Sequence, residues 1–142
     1  MTKSLRVRDY MTEHPVTLPP DMAITEAIEI LVKNKISGAT VINGDGKIIG
    51  VLSEIDCLRA LRDGSYYGED AGLVSDFMTR EVDTARPDQD ILELAEYMIA
   101  KRRRRLPIAA EDGRFLGQFS ARALLKAILK YQGQTGKPGS GR

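Results

Sequence analysis

Gly50-Val51-Leu52-Ser53-Glu54-Ile55-Asp56 returns further along the chain as Gly117-Gln118-Phe119-Ser120-Ala121-Arg122-Ala123. The offset of 67 residues holds well beyond this stretch. Residues 7–61 align with residues 74–128 without a gap, and sixteen of the 55 positions are identical. The identities include Val7/Val74, Asp9/Asp76, Met11/Met78, Thr12/Thr79, Pro20/Pro87, Asp21/Asp88, Ile24/Ile91 and Ser53/Ser120, and conservative pairs such as Tyr10/Phe77 and Val41/Ile108 fill the spaces between them. A gap-free match of this density identifies an internal repeat, so the fold is one unit used twice.

Each unit reads as strand, helix, strand, strand, helix. Residues 15–18 form a short extended piece. After Pro20-Asp21, the residues Ile24, Ala27, Ile28 and Leu31 recur at helical spacing, with Asp21 as the expected N-cap. Residues 39–42 and 47–52 are rich in β-branched side chains, and Gly44-Asp45-Gly46 between them reads as a hairpin turn. Residues 53–61 form a second helix. The second unit repeats this order, with Glu111-Asp112-Gly113 at its turn. A unit of about 55 residues buries little core alone. The expectation is an α+β fold of two βαββα repeats packed sheet to sheet about a pseudo-two-fold axis. Repeat 1 covers residues 1–61 and repeat 2 residues 74–131. Glycines and charges mark 62–73 as a linker. Residues 132–142, with four glycines, a proline and no large apolar side chain, read as a disordered tail.

Composition narrows the function. The chain is 42% hydrophobic and 29% charged, as soluble globular domains are. A net charge of +1 gives no global field toward nucleic acid or membrane. The single cysteine, Cys57, is expected as a small buried filler, which fits a reducing cytoplasm. Residues 1–8 lack the apolar centre of a signal peptide, and no stretch approaches the roughly 18 apolar residues of a membrane span. A cytoplasmic protein is expected. His14 is the sole histidine, which removes His-based metal clusters and most catalytic triads. No glycine-rich phosphate loop of the Walker type appears. The reading is therefore not an enzyme, with no catalytic residue, metal or cofactor.

The repeated openings Val7-Arg8-Asp9-Tyr10-Met11-Thr12 and Val74-Ser75-Asp76-Phe77-Met78-Thr79, the paired Pro-Asp steps, the strand Leu106-Pro107-Ile108 and the segment from Gly50 to Asp56 together resemble a CBS-domain pair, or Bateman module (cystathionine-β-synthase domains). The resemblance covers nearly the whole chain outside its termini. It implies a regulatory module that binds an adenosine ligand (AMP, ADP, ATP or S-adenosylmethionine) in the cleft between repeats, forms a homodimer, and signals to another protein or through assembly. With no effector domain in this sequence, the output is expected through another chain or a change in assembly.

Two clusters are candidates for the ligand. Ser53 and Asp56 stand three apart at a helix start. A carboxylate can accept from both vicinal hydroxyls of a ribose, yet the same spacing is a capping box; both roles can hold at once. In the second repeat Ala123 replaces the aspartate, so the two potential sites are unequal. The other cluster is Lys101-Arg102-Arg103-Arg104-Arg105, five consecutive cations whose repulsion a polyanion would relieve. By the family pattern Arg104 and Arg105 face the phosphate, while Lys101 and Arg102 are a solvated helix end that favours the dipole. The same pattern places the adenine near Val16, Ile36, Ser37 and Ala39, although Val16 and Ile36 also read as core. Met11 and Met78 read as packing at the pair interface. The basic run leaves nucleic-acid binding as an alternative, against which the chain has three Phe, five Tyr and no Trp for base stacking. An S-adenosylmethionine sensor and an adaptor with an empty pocket are the others.

Overall fold

The structure is a computed structural model that describes residues 5–64 and 71–135. A 3-10 turn, Val7–Asp9, is followed by β1 (Thr17–Leu18), α1 (Ile24–Asn34), β2 (Gly38–Ile42), β3 (Ile48–Ser53) and α2 (Glu54–Asp63). The second repeat continues as α3 (Val74–Phe77), α4 (Ile91–Lys101), β4 (Arg105–Ala109), β5 (Phe115–Ser120) and α5 (Ala121–Thr135). β2 pairs with β1 in parallel and with β3 antiparallel, and β4 pairs with β5. Ala85 bridges Ile108 in parallel, at the position where Leu18 pairs with Val41 in the first repeat. This is the expected mixed α+β fold of two βαββα-like repeats. No described helix is long and apolar enough to cross a membrane.

Helical periodicity placed the core correctly. α1 buries Ile24, Ala27 and Leu31, with Ile28 partly buried against them, and α4 buries Ile91, Leu94 and Met98. Both helices end on a left-handed residue, Lys35 (φ 57°) and Arg102 (φ 58°), whose N–H returns to carbonyls of the last turn. The helix starts differ from expectation. Asp21 does not cap α1, which begins after Ala23 with no side-chain cap, because the intervening residues form a turn closed by the Met22 N–H on the Pro19 carbonyl. In the second repeat Asp90, equivalent to Ala23, accepts the N–H groups of Leu92 and Glu93. α2 continues through residues 62 and 63, and α5 through residues 132–135, both beyond the limits that composition suggests. A lone glycine costs a helix only about 1 kcal/mol, too little to stop one already propagating. Residues 65–70 of the predicted linker and 136–142 of the predicted tail lie outside the described residues.

The chain forms two compact units that are not the two sequence repeats. Among the described residues, the first unit holds 15–64, 71–83 and 112–115; the second holds 5–14, 84–111 and 116–135. The repeats have exchanged their opening segments. In the first unit the Val74 N–H donates to the Met22 carbonyl (2.8 Å), that of Ile24 to Gly72 (2.9 Å) and that of Ser75 to Pro20 (2.9 Å). In the second, the equivalent N–H groups of Val7, Ile91 and Arg8 donate to Gln89 (3.0 Å), Leu5 (2.8 Å) and Pro87 (2.8 Å). Each exchanged segment then runs along the outer edge of a sheet. Thr79 pairs with Val51 of β3, and Thr12 pairs with Gln118 of β5. Val7 and Val74 are wholly buried in their acquired cores. Met78 is buried in the first unit's core, and Met11, partly buried, packs against the second's.

The two cores fill equivalent space with different side chains. Leu18 and Ala27 of the first become Ala85 and Leu94 in the second, a small-for-large exchange that conserves volume. Close approach of the exchanged strand also explains one repeated glycine. A Cβ on Gly117 would lie 2.5 Å from the Thr12 carbonyl oxygen. Gly117→Ala is therefore expected to cost about 1–3 kcal/mol, read as a lowered urea midpoint. Gly44→Ala, with nothing within 4 Å of the added methyl, should leave the midpoint unchanged.

Candidate functional site

Six of the eight residues singled out in the sequence fall in the first unit. Ser53 ends β3 and caps α2. Its hydroxyl accepts the Asp56 N–H (3.1 Å), and its own N–H donates to Asp56 Oδ2 (3.0 Å), which completes the capping box. Asp56 is only 2% exposed, unusual for a carboxylate. Burial is sustained by two further donors. Arg59 Nη1 reaches Oδ1 at 2.9 Å, and Thr79 Oγ1 straddles both oxygens at 3.3 Å. Thr79 arrives on the exchanged segment, and sequence reasoning missed it. Its signal was present in the identical pair Thr12/Thr79.

These partners differ in strength. The capping bonds are short and local. Arg59 is more than half exposed, and such a pair contributes under about 1 kcal/mol. The Thr79 contact is long and shared. The capping role is thus realised in full, and the Arg59 and Thr79 contacts are the weaker ones.

The remaining residues frame this cap unevenly. Ser37 is exposed, and its carbonyl accepts the Glu54 N–H at 2.9 Å, tying the α1–β2 connection to the start of α2. Val16 and Ile36 are half-buried against the first unit's core. Ala39 is buried, opposite Leu52 in the β2–β3 register, and belongs to the core rather than to an open surface.

Arg104 and Arg105 lie in the second unit. Arg105 is the first residue of β4, and the Arg104 carbonyl accepts the Ala121 N–H at 2.8 Å, as Ser37 does for Glu54. The basic run is not one charged face. Lys101 ends α4 with its ammonium 6.0 Å from the Tyr97 ring centre, Arg102 is the left-handed cap, and Arg105 enters the sheet. Ser120 keeps half of the capping box: its hydroxyl accepts the Ala123 N–H at 3.0 Å, with no carboxylate to answer.

The CBS domain pattern matches residues 7–63 and 74–130. The chain belongs to the CBS domain family. Its fold is similar to that of CBSX2 from Arabidopsis thaliana, with a TM-score of 0.79 at 25% identity over 92% of this chain and 98% of that one. CBSX2 in complex with AMP gives 0.80, again at 25% identity, over 91% and 99%. By sequence the CBS pair is 32% identical to protein MJ1225 of Methanocaldococcus jannaschii over 86% of this chain, and 34% identical to the inosine-5'-monophosphate dehydrogenase of Aquifex aeolicus over 82%. It spans 42% of the first of these and 23% of the second.

Cys57, beside Asp56 in α2, is buried. Burial first, and then the negative charges of Asp56 and Glu54, push its thiol up to about 11. An unhindered cysteine near 8.5 is about one-quarter thiolate at pH 8. Labelling of Cys57 by iodoacetamide at pH 8 is expected to be at least about a hundredfold slower than that of free cysteine. It should reach the free rate in denaturant, as followed by mass spectrometry.

Proposed function

We propose that this CBS pair is a regulatory module whose ligand is an adenine nucleotide of the AMP, ADP or ATP class. In this reading Ser53 and Asp56 hold the ribose. The observation that carries it is the complex of AMP with CBSX2, a CBS pair of the same fold. The local geometry is compatible with it: the bonds to Asp56 from half-exposed Arg59 and from Thr79 at 3.3 Å are weaker than its capping bonds. Two ribose hydroxyls can donate in their place. Val16, Ile36 and Ser37 are the proposed adenine neighbours, and Arg104 and Arg105 the proposed phosphate partners, on the family's pattern. The output passes to another protein or through assembly, in the cytoplasm.

Calorimetry with AMP, ADP, ATP and S-adenosylmethionine tests this. A bound nucleotide at 100 times its Kd should add about 2.7 kcal/mol of stability. Asp56→Asn and Arg105→Ala should each weaken binding at least tenfold. Asn is chosen over Ala because loss of the cap alone costs about 1 kcal/mol. Ser120→Ala removes the equivalent cap of the second unit and controls for that loss. Parent-like affinity in both site variants refutes the proposed residues, and preference for S-adenosylmethionine refutes the phosphate role of the arginines.

Homodimerisation belongs to the same proposal. α2 exposes Ile55 and Leu58, and α5 exposes Leu125 and Leu129, large apolar side chains that a monomer has no reason to repeat on both helices. Leu125→Glu combined with Leu129→Glu is expected to shift the mass measured by light scattering from dimer to monomer.

A further inference from the structure

The chain has two asparagines, each followed by a residue whose backbone nitrogen is the nearest nucleophile to the side-chain amide: Asn34-Lys35 and Asn43-Gly44. In the first step that nitrogen is engaged. The Lys35 N–H donates to the Leu31 and Val32 carbonyls, and Asn34 Nδ2 donates to the Ile30 carbonyl at 2.8 Å. In the second step the Gly44 N–H makes no hydrogen bond among the described residues. Gly44 is exposed, with nothing within 4 Å of its Cβ position. Glycine also brings no side chain to obstruct the approach.

The Asn43 carboxamide is activated as well. The turn after β2 holds Asn43 Oδ1 against two backbone donors, the N–H groups of Asp45 (2.9 Å) and Lys47 (3.0 Å). Attack on Cγ puts negative charge on this oxygen, and donors already aimed at it stabilise that charge. The Asp-Gly steps nearby lack one condition or the other. The Gly46 N–H is held by the Asn43 carbonyl at 2.9 Å. Asp112, before Gly113, accepts the Arg114 N–H and guanidinium, which keep its carboxyl below the usual carboxylate range. An anion resists a nucleophile. The second repeat has Ala110 where the first has Asn43, so the feature is not duplicated.

We propose that Asn43 is a site of spontaneous covalent modification. The Gly44 nitrogen loses its proton to hydroxide and bonds to Asn43 Cγ. The Cγ–Nδ2 bond breaks, and Nδ2 takes a proton from water and leaves as ammonia. The five-membered imide then takes up one water at either carbonyl and opens to aspartate or isoaspartate. Aspartate keeps an acceptor for the Asp45 and Lys47 N–H groups and adds charge to those bonds. Isoaspartate routes the main chain through the side-chain carbon, so the bonds that close the turn are lost. That turn presents Gly46 and Ile48 to residues 112–115 of the same unit. The Phe115 N–H donates to the Gly46 carbonyl (2.8 Å), and the Ile48 N–H donates to the Gly113 carbonyl (3.1 Å). The isoaspartate form therefore loosens the first unit's hold on residues 112–115. None of the residues proposed for the nucleotide takes part.

The full chain is aged in mildly alkaline buffer, digested and read by mass spectrometry, with electron-transfer fragmentation to resolve isoaspartate from aspartate. The folded parent should accumulate both products at Asn43 and leave Asn34 intact. Gly44→Ala, whose urea midpoint should match the parent's, should slow the reaction at least about tenfold. The Ile48 and Phe115 amides should exchange hydrogen at least about tenfold faster in the isoaspartate form than in the parent, whereas Asn43→Asp should exchange as the parent does. An Asn43 that stays intact in the folded chain, equal rates in the parent and Gly44→Ala proteins, or parent-like exchange in the isoaspartate form would each overturn the proposal.

Discussion

The reciprocal exchange of opening segments is the constraint on which the rest of the molecule depends. Residues 5–14 and 71–83 leave their own repeats and complete the other unit's core and sheet edge. Val7 and Val74 are fully buried by it, each contributing about 1.5–3 kcal/mol of burial. Neither repeat can close its core without the other. The same exchange delivers Thr79 to Asp56, so it shapes the candidate site as well as both cores. His14, the last residue of the second unit's opening segment, has a left-handed φ of 60°. Its distinctive feature is therefore conformational, at the point where the chain passes to the first unit.

The bonds that fix the exchange are between backbone groups, and they impose little on side chains beyond a glycine at the point of closest approach. This leaves the helix starts free to diverge. α2 opens with Glu54 and Asp56, which suit the positive end of a helix, and Asp56 also gathers Arg59 and Thr79. α5 opens with Arg122, which does not suit it. One scaffold therefore presents a buried carboxylate in one unit and a row of cations in the other.

Much of this was legible in the sequence, and what was not has a common cause. The gap-free repeat and its periodicities read out the elements, the buried stripes of α1 and α4, and the Ser53–Asp56 cap. The exchange was not legible, because Val7 and Val74 are identical and a self-alignment looks the same whichever unit each joins. For the same reason Thr79 could not be assigned to Asp56, 23 positions earlier in the chain. Asp21 was a reasonable cap by residue type, but the Pro19–Met22 turn moved the helix start beyond its reach. Divergence was easier to read than placement: Ala123 stands where Asp56 does, and the capping box there is accordingly half formed.

The basic run shows why charge patterns need a backbone before they acquire meaning. Read as sequence, residues 101–105 are one cluster of five cations. In the structure Lys101 belongs to the end of α4, where a cation is favourable, and Arg102 adopts the left-handed cap that Lys35 adopts in the first repeat. Both positions follow from ending a helix and would be occupied in some form whatever the chain bound. Arg104 and Arg105 are different: one carbonyl anchors α5 and the other residue begins β4, so their backbones are fixed while their side chains are free of any helical duty. By contrast Arg122, Lys126 and Lys130 are scattered in the sequence and draw no attention there. The helix sets them in one row that begins in the first turn, where a cation opposes the dipole.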